Sequence, residues 1–241
     1  RQLRGANHLE TADCLFNLAR LNQQQGKWKA AEADCLRAVS IVENVQGTAH
    51  PDFAVCLNNL ASLYHQQENL DKAALLYRRS LAILEDSLGP SHRNVGICLN
   101  NLAGLYRAQK KFADAEAVLD RALTIFENSC RPRREEIALA LNNLAAVHLL
   151  QKDYAKAEPL LKRAVSILDA ALGKQHPEVV DSLFNLAILC EKQARPVEAE
   201  RHFRRAETIA SATFGNKHPY VTECRRHLDE LSRARVGSRI I

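Results

Sequence analysis

Histidine recurs at one fixed spacing, and histidine is a common ligand of transition metals near neutral pH. His8, His50, His92, His176 and His218 are separated by multiples of 42 residues. If one structural unit spans 42 residues, neighbouring members of this column lie about 10 Å apart, the packing distance of helices. A zinc ion binds nitrogen at about 2 Å and cannot bridge that gap. We therefore predict no metal site and expect these histidines to cap helices between units.

Motifs of catalytic and nucleotide-binding sites are absent from the sequence. It contains no GxSxG, no HExxH and no glycine-rich phosphate loop. The seven cysteines include no CxxC pair, which argues against a disulfide framework and a zinc ribbon. We expect free thiols, no cofactor and no enzymatic activity.

Asparagine forms a second column with the same spacing, and its amide can both donate and accept hydrogen bonds. The members of this column are Asn17, Asn59, Asn101, Asn143 and Asn185. At 100° per residue, Asn59 lies about 200° from Leu57 and so faces away from the apolar side of its helix. Amides about 10 Å apart would meet an extended peptide at every third residue, since a strand advances about 3.3 Å per residue. Alternatively, they satisfy polar groups of a neighbouring helix, and the sequence allows both roles.

The elements that position these columns are predicted to be helices. Leu57, Leu60, Ala61 and Tyr64 follow the spacing i, i+3, i+4, i+7, which predicts a helix over about 52–67. The following apolar positions predict a second helix over about 70–87, and the segment Leu88-Gly89-Pro90-Ser91-His92 ends it with a left-handed glycine cap. Three columns of small residues allow neighbouring helices to pack closely. Their members are Ala19, Ala61, Ala103, Ala145 and Ala187; Ala31, Ala73, Ala115, Ala157 and Ala199; and Ala38, Ser80, Ala122, Ala164 and Ala206.

One helix pair cannot bury its apolar face alone, so we predict that the pairs stack. The predicted fold is all-α, a right-handed α-solenoid of about five helix-turn-helix repeats followed by a C-terminal capping helix over 219–235. The predicted divisions are the end of a preceding repeat at 1–7, repeats at 8–49, 50–91, 92–133, 134–175 and 176–217, and a capping helix with its tail at 218–241.

The charge is concentrated at one end of the chain. Residues 201–241 contain nine Lys and Arg against four Asp and Glu, which equals the net charge of +5 of the whole sequence. Only three Phe and Tyr residues occur in this stretch, fewer than a base-stacking surface requires, so we interpret this end as a solubilising cap and expect no nucleic-acid partner. No apolar run reaches the roughly 18 residues that span a bilayer, and we expect a cytoplasmic location.

The unit HPDFAVCLNNLASLYHQQENLDKAALLYRRSLAILEDSLGPS, residues 50–91, resembles the tetratricopeptide repeats of kinesin light chains in its LNNLA core and LG-x-x-HP junction. The resemblance covers residues 8–217. It implies a protein-interaction scaffold that binds an extended peptide in a concave groove, as a cargo adaptor with motor or cytoskeletal partners. Repeats of this type are also similar to regulatory or sensor arrays of signalling ATPases and to ciliary scaffold segments, which is the alternative function.

The resemblance also implies a set of binding residues. In the family, asparagines equivalent to Asn59, Asn101 and Asn143 clamp the peptide. The preceding asparagines of the LNNLA core, Asn58, Asn100 and Asn142, belong to the same candidate set. Where the family reads acidic peptides with helix-B arginines, this chain carries Val42, Leu84, Phe126, Leu168 and Ala210.

We therefore expect the groove to select an apolar or aromatic anchor. Gly104 and Ala146 are predicted to leave open space at its floor, and Arg107 is the single groove-side arginine of the family pattern. The apolar residues expected around this space are Val55, Ile97, Phe126, Leu139 and Leu168.

Overall fold

The structure, a computed structural model, describes residues 8–130 and 132–237, with side chains described as far as residue 234. Within these ranges the chain forms eleven α-helices, one short 3-10 turn and no β-strand. The predicted all-α fold of consecutive helix pairs is confirmed. The chain divides into two compact units, Arg1–Ser129 and Cys130–Ile241.

The first unit contains three helix pairs. Its helices are α1 Leu9–Gln24, α2 Trp28–Gln46, α3 Pro51–Gln66, α4 Leu70–Leu88, α5 Arg93–Ala108 and α6 Phe112–Glu127. Each odd-numbered helix packs on the even-numbered helix that follows, and α2 packs on α3 as α4 packs on α5. The observed limits of α3 and α4 differ from the predicted 52–67 and 70–87 by one residue or less.

The second unit contains two helix pairs and a final helix. Its helices are α7 Arg134–Leu150, α8 Tyr154–Leu172, α9 Val180–Lys192, α10 Pro196–Phe214 and α11 Pro219–Gly237, and a 3-10 turn at Pro177–Val179 precedes α9. Helix α11, predicted over 219–235, packs on α10 and buries Val221 and Cys224 completely.

The histidine column caps helices, as predicted. In all five histidines Nδ1 accepts the backbone N–H of the residue two positions later, at 3.1–3.4 Å. This bond satisfies one of the N–H groups that a helix start leaves without an intrahelical partner. Where the column holds Arg134, α7 begins at that residue with Arg133 at its N-cap.

Two kinds of turn separate the helices. Between the helices of a pair, one residue has a left-handed backbone: Gly26 in the first pair, then Glu68, Lys110, Lys152 and Ala194, with φ of 55–70°. Between pairs, glycine caps the ends of α2, α4, α8 and α10, whereas α6 ends at Asn128. Gly89 has φ 87° and ψ 155°, so φ is positive as predicted, but ψ lies in an extended region that only glycine readily adopts.

The three columns of small residues lie in the core. Each of their members has 3% or less of its surface exposed, which allows the close packing of helices that the sequence predicts. No helix in the described part of the chain combines the length and the apolar content needed to cross a lipid bilayer.

Candidate functional site

Asn17 and Asn59 are the most accessible members of the asparagine column. Both are exposed, one on α1 and the other on α3. Both line a cavity of about 540 Å³ and a second cavity of about 460 Å³. Two amides of successive repeats therefore lie between two cavities of the first unit, and their donors and acceptors are available to a ligand.

Both cavities combine polar and apolar lining residues. The larger includes Arg20, Ser62 and Gln66 beside the two asparagines. The smaller has an apolar wall that includes Val42 and Val55. Phe16, which replaces asparagine at the first position of the LNNLA pair, lines both cavities.

Acidic groups border the smaller cavity. Asp13 and Asp52 are among its lining residues. The Asp52 carboxylate lies 3.6 Å from His50 Nδ1 and accepts a 2.9 Å hydrogen bond from Gln46 Nε2. The side chain of Asp13 is exposed, so this end of the cavity is negative.

Asn101 differs from Asn17 and Asn59 in its surroundings. It is half-buried, and its Nδ2 donates to Oδ1 of Asn58 at 3.3 Å. Asn58 is 7% exposed, and so are its column neighbours Asn100 and Asn142. Here the second role that the sequence allows, bonding to a neighbouring helix, is observed.

The expected open floor at Gly104 is partly occupied by His65. A Cβ atom at Gly104 would lie 3.3 Å from Cε1 of the His65 ring. Burial lowers the pKa of His65, and the guanidinium of Arg107 lowers it further. The glycine thus makes room for a side chain of the neighbouring helix, and Arg107 lies within electrostatic range of that ring.

Two predicted anchor residues of the first unit occupy different environments. Ile97 is half-buried on α5. Phe126 is 3% exposed, and its ring lies so close to Gly96 that a Cβ there would be 2.7 Å from Cε1. The Phe126 ring is part of the core of this unit and offers little surface to a ligand.

In the second unit, three predicted residues line one small cavity. Leu139 is 48% exposed, whereas Asn142 and Leu168 are 7% and 3% exposed, and all three contribute to a cavity of about 260 Å³. Its lining does not include the other predicted residues of this unit, which are half-buried. These are Asn143, Ala146 and Asn185.

Sequence reasoning missed several of the residues that line these cavities. Phe16 lines both cavities of the first unit, and Glu135, Glu136, Glu178 and Asp181 line the cavity of the second. Glu136 and Glu178 occupy one column, 42 residues apart, in the first turn after a helix start. Acidic residues at this place are expected to stabilise a helix N-terminus. The sequence therefore contained no sign that these two residues also line a cavity.

The chemistry available at these surfaces is hydrogen bonding and apolar contact. Among the described residues, no group of three His, Cys, Asp or Glu side chains is placed to hold a metal ion. All seven cysteines are free thiols. Burial raises the pKa of Cys35 to about 11 and that of Cys56 to about 12, so these thiols are protonated and unreactive near neutral pH.

Comparison with protein families identifies a repeat family. The tetratricopeptide repeat pattern matches residues 21–86, 76–128 and 136–212, which together make up more than half of the chain. The sequence has no match among curated proteins.

Solved structures of similar fold include several repeat proteins. A Podosopora anserina protein described as a kinesin light chain with nearly identical TPR-like repeats is 22% identical, with a TM-score of 0.68 over 86% of this chain and 97% of that chain. BtubC (BKLC) from P. vanneervenii is 27% identical, with a TM-score of 0.66 over 84% of this chain and 80% of that chain. A Rap protein complexed with competence and sporulation factor is 18% identical, with a TM-score of 0.71 over 90% of this chain and 64% of that chain. Their helix pairs are thus arranged similarly to those of this chain.

Proposed function

The chain belongs to the tetratricopeptide repeat family, whose fold is a scaffold for protein–protein interaction, and we propose that it holds an extended segment of a partner protein across α1 and α3. The observation that carries this proposal is the position of Asn17 and Asn59. Both amides are exposed and both line the same two cavities.

The asparagines bind the backbone of the partner segment. An amide side chain can donate to a peptide carbonyl and accept from a peptide N–H at the same time. Such contacts do not depend on the side chains of the ligand, so the two asparagines supply affinity with little sequence preference. Sequence preference comes from the cavities on either side.

The smaller cavity selects an apolar anchor. Its wall of Phe16, Val42 and Val55 matches an aliphatic or aromatic side chain, whose burial contributes about 25 cal/mol per Å². At about 460 Å³, it lies within the roughly 300–1,000 Å³ usual for ligand sites. Asp13 at the border disfavours an acidic residue beside the anchor, because like charges repel.

The proposed biological role is that of an adaptor resembling a kinesin light chain, with each division from 8–49 to 176–217 acting as one repeat. The seven free cysteines support a reducing compartment such as the cytoplasm. No catalytic step is assigned to the chain.

The proposal is tested with a peptide selected for binding. A library of random 12-residue peptides is selected on the whole chain, and the dissociation constant of a selected peptide is measured by calorimetry with Asn17→Ala and Asn59→Ala. Each substitution should weaken binding about 5- to 30-fold, the equivalent of about 1–2 kcal/mol.

The control substitution is Leu75→Ala on α4. Leu75 is 69% exposed and lines neither cavity, so its loss should leave the dissociation constant unchanged. If Leu75→Ala weakens binding while both asparagine variants bind normally, the peptide uses helix α4 and the proposal is wrong.

A further inference from the structure

The cavity of the second unit occupies the same place in the repeat as the smaller cavity of the first. Six residues that line it lie 126 residues, or three repeats, after residues that line the smaller cavity of the first unit. The pairs are Leu9 and Glu135, Asp13 and Leu139, Phe16 and Asn142, Val42 and Leu168, Asp52 and Glu178, and Val55 and Asp181. The same position is therefore built twice, and the two copies differ in chemistry.

The second copy is the more acidic. Glu135, Glu136, Glu178 and Asp181 line it, and no lysine or arginine is among its described lining residues. Glu135 and Glu178 form no ion pair with any described residue, whereas Asp181 accepts a hydrogen bond from the Tyr220 hydroxyl. The carboxylates therefore present a negative rim.

The oxygen of a buried amide that lines this cavity lacks a hydrogen-bond partner among the described residues. Asn142 is 7% exposed, and its Oδ1 has no hydrogen-bond partner within the described ranges. In the first unit the equivalent Asn58 accepts from Asn101. Asn185 holds the corresponding place here, but the bond is not made. Buried acceptors are almost always satisfied, so this oxygen indicates that a donor comes from a bound molecule.

The remaining surface is apolar and small. Ala138, Leu139 and Leu168 line it together with the acidic residues. The volume of about 260 Å³ is below the usual range of small-molecule sites and suits a single side chain. The described carboxylates are not grouped to hold a metal ion, so the expected cation is an organic one.

We propose that this cavity binds a lysine or arginine side chain of a partner protein, with the aliphatic stem against Leu139 and Leu168 and the charged head among the carboxylates. The partner also supplies the N–H group that Asn142 Oδ1 lacks. A long basic side chain meets this combination, because its stem is apolar and only its end is charged. The inference rests on the proposed peptide binding and adds to it the charge of the bound residue.

The experiment uses three pentapeptides with two alanines on each side of a central lysine, norleucine or glutamate, with both ends blocked. Each is titrated into the ¹⁵N-labelled whole chain, and the side-chain amide signals of Asn142 are followed by NMR after assignment with Asn142→Ala. The lysine peptide should shift these signals saturably, and raising the NaCl concentration from 20 to 200 mM should weaken its binding, since salt screens exposed charge pairs. The norleucine peptide, which keeps the stem without the charge, should bind at least fivefold more weakly.

The variants Glu135→Gln and Glu178→Gln each remove one carboxylate of the rim. Each should weaken binding of the lysine peptide about two- to fivefold, the range of partly exposed charge pairs. Glu43→Gln is the matched control, because it removes one exposed carboxylate that lines none of the three cavities, and it should leave the Asn142 titration unchanged. Circular dichroism checks that all three variants are folded.

Three outcomes overturn the inference. The first is equal binding of the norleucine and lysine peptides, and the second is a saturable shift with the glutamate peptide. The third is a shift of the Asn142 signals that depends on protein concentration alone, because it would identify a second copy of the chain as the occupant. The proposed function is tested separately through Asn17 and Asn59. Failure at Asn142 with intact binding there removes only this inference.

Discussion

The side-chain amide of Asn101 donates to Oδ1 of Asn58, 3.3 Å away. The two residues belong to successive repeats, and both are asparagines of the LNNLA core. Because Asn58 is 7% exposed, this bond satisfies an acceptor that water hardly reaches. Asn59, the neighbour of Asn58 in sequence, is exposed. Of these two adjacent asparagines, Asn58 therefore bonds to the next repeat, and Asn59 lies at the surface.

The first prediction separates these two roles. Asn101→Ala should lower the free energy of unfolding by about 1–2 kcal/mol, because it leaves Oδ1 of Asn58 buried without a donor. Asn59→Ala should change stability by less than about 0.5 kcal/mol, as expected at a surface position. Urea unfolding followed by circular dichroism measures both. Equal stability of the two variants would show that the Asn101–Asn58 bond contributes little.

The second prediction concerns two glycines of α5. In Gly96→Ala the added methyl group would lie 2.7 Å from the buried Phe126 ring, and such overpacking costs about 1–3 kcal/mol. In Gly104→Ala the methyl group would lie 3.3 Å from His65, a half-buried side chain that can move. The gain of about 1 kcal/mol in helix propensity should then make Gly104→Ala neutral or stabilising. A shift of the urea midpoint in the opposite order would contradict the packing described for Phe126.

The third prediction concerns the turn within the last helix pair of the second unit. Ala194 has φ 55°, a left-handed backbone that costs a non-glycine residue about 1–2 kcal/mol. Ala194→Gly should stabilise the chain by up to about 1 kcal/mol, since Gly26 already holds this position in the first pair. The same substitution at Ala170, an exposed residue inside α8, should destabilise by about 1 kcal/mol. Thermal unfolding compares the two, and destabilisation by both would argue against strain at Ala194.

The fourth prediction concerns pH and the buried thiols. Burial raises the pKa of Cys56 from 9.0 to about 12. The contribution of this protonated thiol to stability is therefore complete below pH 9 and is lost as the pH rises toward 12. Between pH 8 and pH 10 the wild type should lose about 1 kcal/mol more unfolding free energy than Cys56→Ala, because only the unfolded thiol ionises in this range. Urea unfolding at both pH values measures the difference. Parallel losses in the two proteins would show that Cys56 ionises as easily folded as unfolded.

Much of the fold could be predicted from the sequence because its signals are local and repeated. The 42-residue columns, the limits of α3 and α4 and the histidine caps each depend on residues within one repeat. A cap requires only that His50 stand two residues before the N–H that it accepts. Helix periodicity is likewise read within about 16 residues, the length of α3.

The arrangement of side chains from different repeats could not be predicted in the same way. Gly104 suggested an open floor, but the ring of His65, a residue of another repeat, lies beside it. Phe126 was expected at a groove, yet it is packed against Gly96. Glu178 has the pattern of a first-turn acid, and only the packing of α7, α8 and the 3-10 turn places it beside Leu139 and Leu168. Sequence spacing fixes which face a residue occupies but not which side chain meets it there.

The position of a bound segment is measured most directly by NMR contacts between its backbone and the asparagine side chains. With a selected 12-residue peptide bound to the ¹⁵N-labelled whole chain, we expect nuclear Overhauser effects from the peptide Hα and N–H protons to the side-chain amides of Asn17 and Asn59. The amide of Asn101, which is bonded to Asn58, should show weaker effects or none. Effects confined to helix α4, with the Asn17 and Asn59 amides unchanged on binding, would contradict peptide recognition across α1 and α3.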